Sequence, residues 1–548
     1  MQDKTKIAIY DRYLSTLGGG ERYSCKIAEI LSADNSNEVD IITDINSSLS
    51  DVSKRLSLDL DNVKLKVFPF ISDDYAEKIT GGYDIFINAT YLSALTAKSK
   101  YNLYVCYFPT PFDVDFSLIH RLLLIFFRIP AVFIYRKASD MIRNSFFEIE
   151  EGIYDVKRFL LRRGSWSGKK AVIKINCITG STSTNSFTIG LKNPKASGIN
   201  EMNIEIKNTA SGKVFFEKEL KIKLDEKLSL LIPLKKDFEN IIEISSETFI
   251  PSQKNQGAQD SRDLGAVLYD ENKISHFKKT VLKIIGFMPL FLVAYPSDLK
   301  FLKSYDEILS ISQYSSSWID KLWKRKSTIL FPPVDVQNFY QSPKEKIILS
   351  AGRFFPQHHN KKQLELAQTF IELFNENKDL MEGYSLYLLG GLENKKAHLD
   401  YVEKIREISK GYPIYLKTNI SWDELRSIFA KASIFWHASG MGEDEEKHPE
   451  KFEHFGITTV EAMAAGCVCV VIGKGGQEEI IKDGINGFTF DTFAKLKEKT
   501  LEIAADPEMT RIIRSNAKKD SEKFSNKVFE ESILNIIQNA KKVLKNNT

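Results

Sequence analysis

Two carboxylates eight positions apart, Glu453 and Glu461, bracket a glycine in the run Glu-His-Phe-Gly-Ile-Thr-Thr-Val-Glu. Glycine at 456 suits a turn that opens a helix, with Glu453 ahead of the turn and Glu461 one to two helical turns beyond it. The backbone N–H groups of Phe455, Gly456 and Ile457 then stand at a helix start, where unsatisfied donors and the dipole favour an anion. A ligand crossing that start has one carboxylate at either end. His437, in Trp436-His437-Ala438-Ser439, ends a strand near this turn, either as a site residue or as a packed histidine. Gly352-Arg353 follows directly after another strand, and Lys361 and Lys362 precede a helix at 364–370. Alone, such cations read as solvated surface. Leu389-Gly390-Gly391 ends a third strand, where glycines admit a flat ring or simply serve a β-to-α turn, and Ile420 and Ser421 stand ready to close its other face. The acidic run 442–450 lacks the ligand spacing of a hard-cation loop, so no metal is expected and the run reads as a solvated loop.

These residues need a scaffold that brings strand ends to one edge. Strands at 346–351, 385–389, 414–417, 434–437, 468–472 and 487–490, alternating with helices, give a parallel α/β half. The first hundred residues repeat that grammar, with strands at 6–10, 39–43, 63–68, 85–88 and 103–107 and a helix at 21–31 behind Gly18-Gly19-Gly20. That glycine turn lets Gly19 and Gly20 bring backbone close to an anionic ligand, or is a tight turn with none. From 171 to 268 the pattern alternates with period two, as in Met202-Asn203-Ile204-Glu205-Ile206 and Leu228-Ser229-Leu230-Leu231-Ile232, which indicates an antiparallel sandwich inserted in the first half. The stretch 251–262 reads as a loop and Trp166 as packing. The final helix carries Ile533, Ile536, Ile537, Ala540 and Leu544 on one face and must pack inward, onto the N-terminal half.

At 548 residues the chain exceeds one hydrophobic core. A formal charge of +4 is too small for a nucleic-acid binder of this length. Five cysteines form no disulfide framework, and Cys467 and Cys469 read as small hydrophobes on one strand face. The N-terminus shows no signal peptide, which points to the reducing cytoplasm. Two apolar runs, 118–135 and 281–295, are interrupted by charges, Gly286, Pro130 and Pro289, and fall short of a spanning helix. They are either buried helices or helices lying in a membrane interface.

The run EHFGITTVEAMAAG, with GKGGQEEIIKDGINGF after it and AGRFF and the lysines upstream, closely resembles the family-four retaining glycosyltransferases (glycosyl transferases group 1) and their Glu-x7-Glu motif. The resemblance implies a GT-B fold, two Rossmann-like domains facing a cleft, here with an all-β sandwich-like insertion in the N-terminal domain. The expected boundaries are 1–150, 151–272 for the insertion, 273–338, 339–520 for the donor-binding domain, and 521–548 for the last helix. It implies that Glu453 holds a donor-sugar hydroxyl, that Glu461 bonds the ribose, that Arg353 and Lys361 or Lys362 grip the diphosphate, with helix spacing favouring Lys361, and that the base packs at Gly390. Relatives carry a histidine where this chain has Tyr107, which puts any histidine-dependent step in doubt and leaves Tyr107 as a hydrogen-bonder or a packing residue. The implied activity is metal-independent, retaining transfer of a hexose from a nucleoside diphosphate sugar, with no cofactor, to a glycan or lipid-linked acceptor. The interfacial reading of the two apolar runs, with the basic stretch 157–170, suggests peripheral contact at the inner face of the membrane, as in bacterial surface polysaccharide or glycolipid synthesis. A sugar phosphorylase, a sugar-nucleotide epimerase and a non-catalytic glycan-binding protein are the alternatives.

Overall fold

Short runs rich in Val, Ile and Leu, each followed by a helix, bury both faces and pair in parallel. The computed structural model describes residues 4–16, 18–43, 49–67, 79–111, 117–143, 147–154, 158–159, 161–177, 185–251, 263–273, 275–289, 292, 299–340, 342–357 and 360–546. The chain divides into two compact units, Met1–Lys100 with Phe112–Ser304, and Tyr101–Pro111 with Tyr305–Thr548. The segment 273–338, expected to continue one N-terminal domain, is thus shared between the two, and the last helix belongs to the second.

In the first unit, Thr5–Tyr10 pairs in parallel with Ile85–Asn88 on one side and Asn37–Thr43 on the other, and Val63–Val67 follows. The helix Gly19–Ser32 connects the first two strands in sequence. Its N-cap is held from within the chain, since the Gly18 N–H donates to Glu21 Oε2 at 2.5 Å. Gly19 and Gly20 form the first turn behind that contact.

Among the described residues, eight antiparallel strands between Phe147 and Asp270 make the insertion. The long strand Ser165–Asn176 belongs to two sheets, pairing Val267–Asp270 near its start and Glu239–Ser246 along its end. Ile173, Ile206 and Ile244 of one sheet and Phe187, Ile189 and Ile232 of the other share one buried core. This is the expected sandwich. Trp166 packs edge-on to Phe249. The expected loop 251–262 lies, beyond Pro251, outside the described residues.

The two apolar runs flank this insertion as helices, Leu118–Arg143 and His276–Phe287. Pro130 does not break the first, and its segment Leu118–Tyr135, with mean hydropathy 1.8, is long and apolar enough to cross a membrane by length and composition. For 118–135 the alternative of a buried helix is overturned, whereas the second run buries Leu282 and Ile285 and, beyond Pro289, lies outside the described residues except at Leu292. Leu282 and Ile285 pack with Ile134 and Tyr135, but Ile125, Phe126, Ile129 and Phe133 point outward.

The second unit holds strands of two parallel sheets. In one, Glu307–Ser310 lies between Tyr101–Cys106 and Thr328–Ile329. The other has six strands in the order Ile414–Thr418, Ser385–Gly390, Glu345–Ala351, Ala432–His437, Val468–Ile472, Phe488–Phe490. Its core centres on Ile348, Leu386, Ile434, Trp436 and Val470. Cys467 and Cys469 are buried there, and burial pushes both thiols up, so they pack rather than react. Lys344 Nζ donates to the carbonyls of Ala430 at 2.8 Å and Ala465 at 2.7 Å, one at each of two helix ends where a cation complements the dipole. The last helix, Asn526–Asn546, buries Phe529, Ile533, Ile536, Ile537 and Ala540 as its apolar stripe requires.

Candidate functional site

The strand order of the six-stranded sheet reverses between Glu345–Ala351 and Ala432–His437. Strands following the first run to one side, and those following the second to the other. In an open parallel sheet, ligands bind in the crevice at the carboxyl ends of such a reversal. Both of these strands end in site residues. Gly352-Arg353 leaves one, and His437 closes the other.

Glu453 is the meeting point. Its carboxylate takes Lys361 Nζ, and Oε2 also lies 2.8 Å from His437 Nε2. The two lysines part company here: Lys362 sits at φ 57° and turns to Glu443 at 3.4 Å, so Lys361 alone reaches Glu453. Gly352 makes this possible, since a Cβ there would stand 2.7 Å from Lys361 Cγ.

Burial alone would raise the Glu453 carboxyl, but the Lys361 charge and the His437 hydrogen bond outweigh it and hold the group well below the usual carboxylate range. Burial holds the His437 imidazole below its ordinary value, against the pull of Glu453. An ionised carboxylate only accepts, so the proton belongs on Nε2 and Nδ1 is the bare nitrogen. Nδ1 is buried and has no partner among the described residues.

Tight backbone contacts fix the carboxylate from behind. The Gly476 N–H donates to the Glu453 carbonyl at 2.7 Å, and a Cβ on Gly475 would lie 2.7 Å from that same oxygen. Gly456, at φ 120°, caps the helix Ile457–Ala464 in the conformation that glycine tolerates best. Behind it lies Gln477, fully buried, with neither amide atom bonded to a described residue. A Cβ on Gly456 would come within 2.5 Å of its Nε2. Phe455 contributes backbone to this turn while its ring packs between Phe331 and Phe524. Ile457 begins the helix, and Glu461, half-buried, follows in its second turn.

Along the same edge, Gly390 lies so close to the preceding strand end that a Cβ would meet the Gly352 carbonyl at 1.9 Å. Arg353 is exposed, its Cγ 3.7 Å from where a Gly391 Cβ would be, and its guanidinium has no ion-pair partner among the described residues. Asn419, at φ 53°, donates its N–H to the Gly390 carbonyl at 3.0 Å and accepts from Leu392 N–H at 2.9 Å. It therefore shapes the turn beside Ile420, which is half-buried ahead of the helix cap Ser421.

The acidic run is solvated as expected at Asp444, Glu446 and Lys447 but not throughout. Glu443 pairs with Lys451 at 2.8 Å and with Lys362, and Glu445 accepts from the Gly475 N–H at 3.1 Å. It walls a cavity of about 340 Å³ with Asn360, Lys362, Gly440 and Lys451. Among the described residues, no group of three His, Cys, Asp or Glu is placed to hold a metal ion. His358 and His359 fall outside the described residues.

Tyr107 follows the strand Tyr101–Cys106 and is half-buried, its carbonyl accepting from Ser315 Oγ at 2.7 Å. Its neighbour Phe108 stacks on His454, with ring centroids 4.1 Å apart and planes within 8°. Glu479, in the turn after Gly476, caps a further helix, Gln313–Trp323, accepting from the Gln313 N–H at 2.9 Å. Burial raises its carboxyl. Gly19 and Gly20 belong to the other unit.

Sequence reasoning missed Gln477, Asn419, Phe108 and the Glu443–Lys362–Lys451 cluster. Gln477 stood in plain view beside two glycines, but no spacing rule marks an amide for burial without partners.

Residues 336–520 match the family model for glycosyl transferases group 1. The mouse GDP-Man:Man(3)GlcNAc(2)-PP-Dol alpha-1,2-mannosyltransferase is 29% identical over 250 residues, 42% of this chain and 47% of that protein. An uncharacterized glycosyltransferase of Methanocaldococcus jannaschii is 27% identical, over 41% of this chain and 60% of that one. The chain spans about half the length of the first curated relatives it matches. A solved glycosyltransferase from Rickettsia africae covers the whole of both chains at 13% identity with a TM-score of 0.49. The matched residues coincide with the α/β part built on the six-stranded parallel sheet, Glu345 to Phe490. The likeness to glycosyl transferases group 1 is thus carried by 336–520, about a third of the chain.

Proposed function

We propose that this enzyme transfers a hexose from a nucleoside diphosphate sugar to a glycan or lipid-linked acceptor with retention of configuration and without a metal. Glu453 holds a donor-sugar hydroxyl and Glu461 the ribose, while Arg353 and Lys361 take the diphosphate and the base lies between Gly390 and Ile420. The observation that carries this reading is the convergence of Lys361 and His437 on one ionised carboxylate at the reversal of strand order. A fixed cation beside the leaving phosphate stabilises the charge that develops as the bond from the anomeric carbon breaks. The acceptor oxygen bonds to that carbon on the same face, and its proton passes to the departing phosphate. His437, bare at Nδ1, and Gln477 supply further polar contacts for the sugar.

The mannosyltransferase relatives, named for GDP-mannose and a dolichol-linked oligosaccharide, make a mannosyl donor with a lipid-linked acceptor the first pair to assay. All five cysteines are free and buried, in keeping with a reducing cytoplasmic setting. Donor screening by thermal shift, then NMR of the product's anomeric configuration with and without EDTA, tests the proposal. An inverted product, or loss of activity on chelation, refutes the mechanism. Glu453→Gln with unchanged rate and donor affinity refutes the site.

A further inference from the structure

Two helices of the first unit turn their most apolar faces to the outside. On Leu118–Arg143, the residues Leu118, Ile125, Phe126, Ile129 and Phe133 are between 62% and 82% exposed. At about 100° per residue they share one side of the helix, opposite the buried Ala131. On His276–Phe287, Val281, Leu282 and Ile285 pack inward, which leaves Phe277 and Phe287 outward, each 73% exposed. A continuous apolar face of this kind marks an interaction site rather than ordinary surface.

Charge says what covers it. Segments 117–137 and 275–289 contain seven cationic residues, Arg121, Arg128, Arg136, Lys137, Lys278, Lys279 and Lys283, and no Asp or Glu. Arg121 and Arg128, about two turns apart, run along one margin of the apolar side. A second copy of the chain would set these cations against their own kind with no acid between. A spanning orientation would bury Arg128 at mid-membrane, where a charge is costly. An anionic lipid leaflet satisfies both the apolar face and its cationic margin.

We propose that the helix pair lies flat in an anionic leaflet, with Ile125, Phe126 and Ile129 among the acyl chains and Arg121 and Arg128 at the lipid phosphates. This stands on the helix faces alone and is independent of the transfer reaction.

Flotation of the full chain with phosphatidylcholine vesicles, with and without phosphatidylglycerol, tests it. The protein should rise with the anionic vesicles and bind the neutral ones at least ~10-fold more weakly. Arg121→Gln with Arg128→Gln should weaken partition roughly 30-fold, at ~5-fold for each charge. Phe126→Ser with Ile129→Ser should weaken it by about 100-fold or more. Because these side chains are exposed, both variants should keep the wild-type melting temperature and transfer to a soluble acceptor. Wild-type protein that stays unbound with anionic vesicles overturns the inference, as does unchanged partition of either variant. Retention of bound protein through alkaline carbonate would show a spanning helix and overturn the flat placement. Vesicle-free self-association that Phe126→Ser abolishes, without flotation, would assign the face to a second copy.

Discussion

Lys361→Met removes the cation from Glu453 while keeping a stem of similar length. In the folded protein the lysine and glutamate side chains are 21% and 20% exposed, so the pair lies between the buried and surface cases. Breaking one side of a fully buried pair costs about 3–5 kcal/mol, and an exposed pair is worth about 0–1 kcal/mol. A fifth of each side chain is solvated and His437 still serves the carboxylate at 2.8 Å, which places the loss at ~1–2 kcal/mol. Catalysis should suffer more. A charge-assisted hydrogen bond to the donor diphosphate is worth about 1.5–3 kcal/mol, a fall of roughly 10- to 150-fold in kcat/KM. The variant also lifts the Glu453 carboxyl, because burial then acts with only His437 opposing it, so an acid limb should enter the pH–rate profile from below. Urea unfolding followed by tryptophan emission reads the stability, and initial rates across pH read the rest. A variant as stable as wild type, with kcat/KM within about threefold and an unmoved profile, would refute the role given to Lys361.

Gly352→Ala should imitate this loss of activity, because its Cβ would press on Lys361 Cγ at 2.7 Å, while steady-state unfolding shifts by no more than ~1 kcal/mol. Gly390→Ala, whose Cβ would meet backbone at 1.9 Å, should instead destabilise by about 3 kcal/mol or more, read by thermal unfolding. Gln477→Leu removes two buried amide atoms that lack partners, so it should unfold no earlier than wild type yet bind donor more weakly, by ~0.5–1.5 kcal/mol in calorimetry. Glu453 has a depressed folded pKa, so its stabilising share is present above the ordinary value of about 4.3 and is lost as pH falls through the depressed one. The stability gap between wild type and Glu453→Gln should therefore be widest near neutrality and close on acidification, measured by urea unfolding at a series of pH values.

Strands were legible because buried parallel strands are near-continuous apolar runs. Those expected at 85–88 and 468–472 match Ile85–Asn88 and Val468–Ile472, and the others agree to within a residue or two. The motif's glycine at 456 announced the helix start, while the Glu453–Lys361 pair was not foreseen, since the sequence reading assigned Lys361 to a diphosphate. Two kinds of feature stayed hidden. Helix spacing already favoured Lys361, but the left-handed backbone of Lys362 that turns the second lysine to Glu443 is a conformation that no period or composition encodes. Burial of Gln477 and the folding of Glu443 onto Lys451 depend on long-range packing, whereas a local run of acids reads as solvated whatever it touches. The helix Leu118–Arg143 shows the same limit, since apolar content fixes its amphiphilic demand but not which partner meets it.

The cap that Glu479 provides ties the donor loop to a distant stretch of chain. Any ligand that shifts Gly475 and Gly476 pulls on the start of the helix Gln313–Trp323, and Trp318 sits there beside Tyr314 and Phe108 with the Lys321 ammonium 4.1 Å from its ring. Indole emission responds to a nearby cation. If the proposed donor binds beside Gly475 and Gly476, Trp318 should report its occupancy, and a titration with nucleotide sugars would need no attached dye.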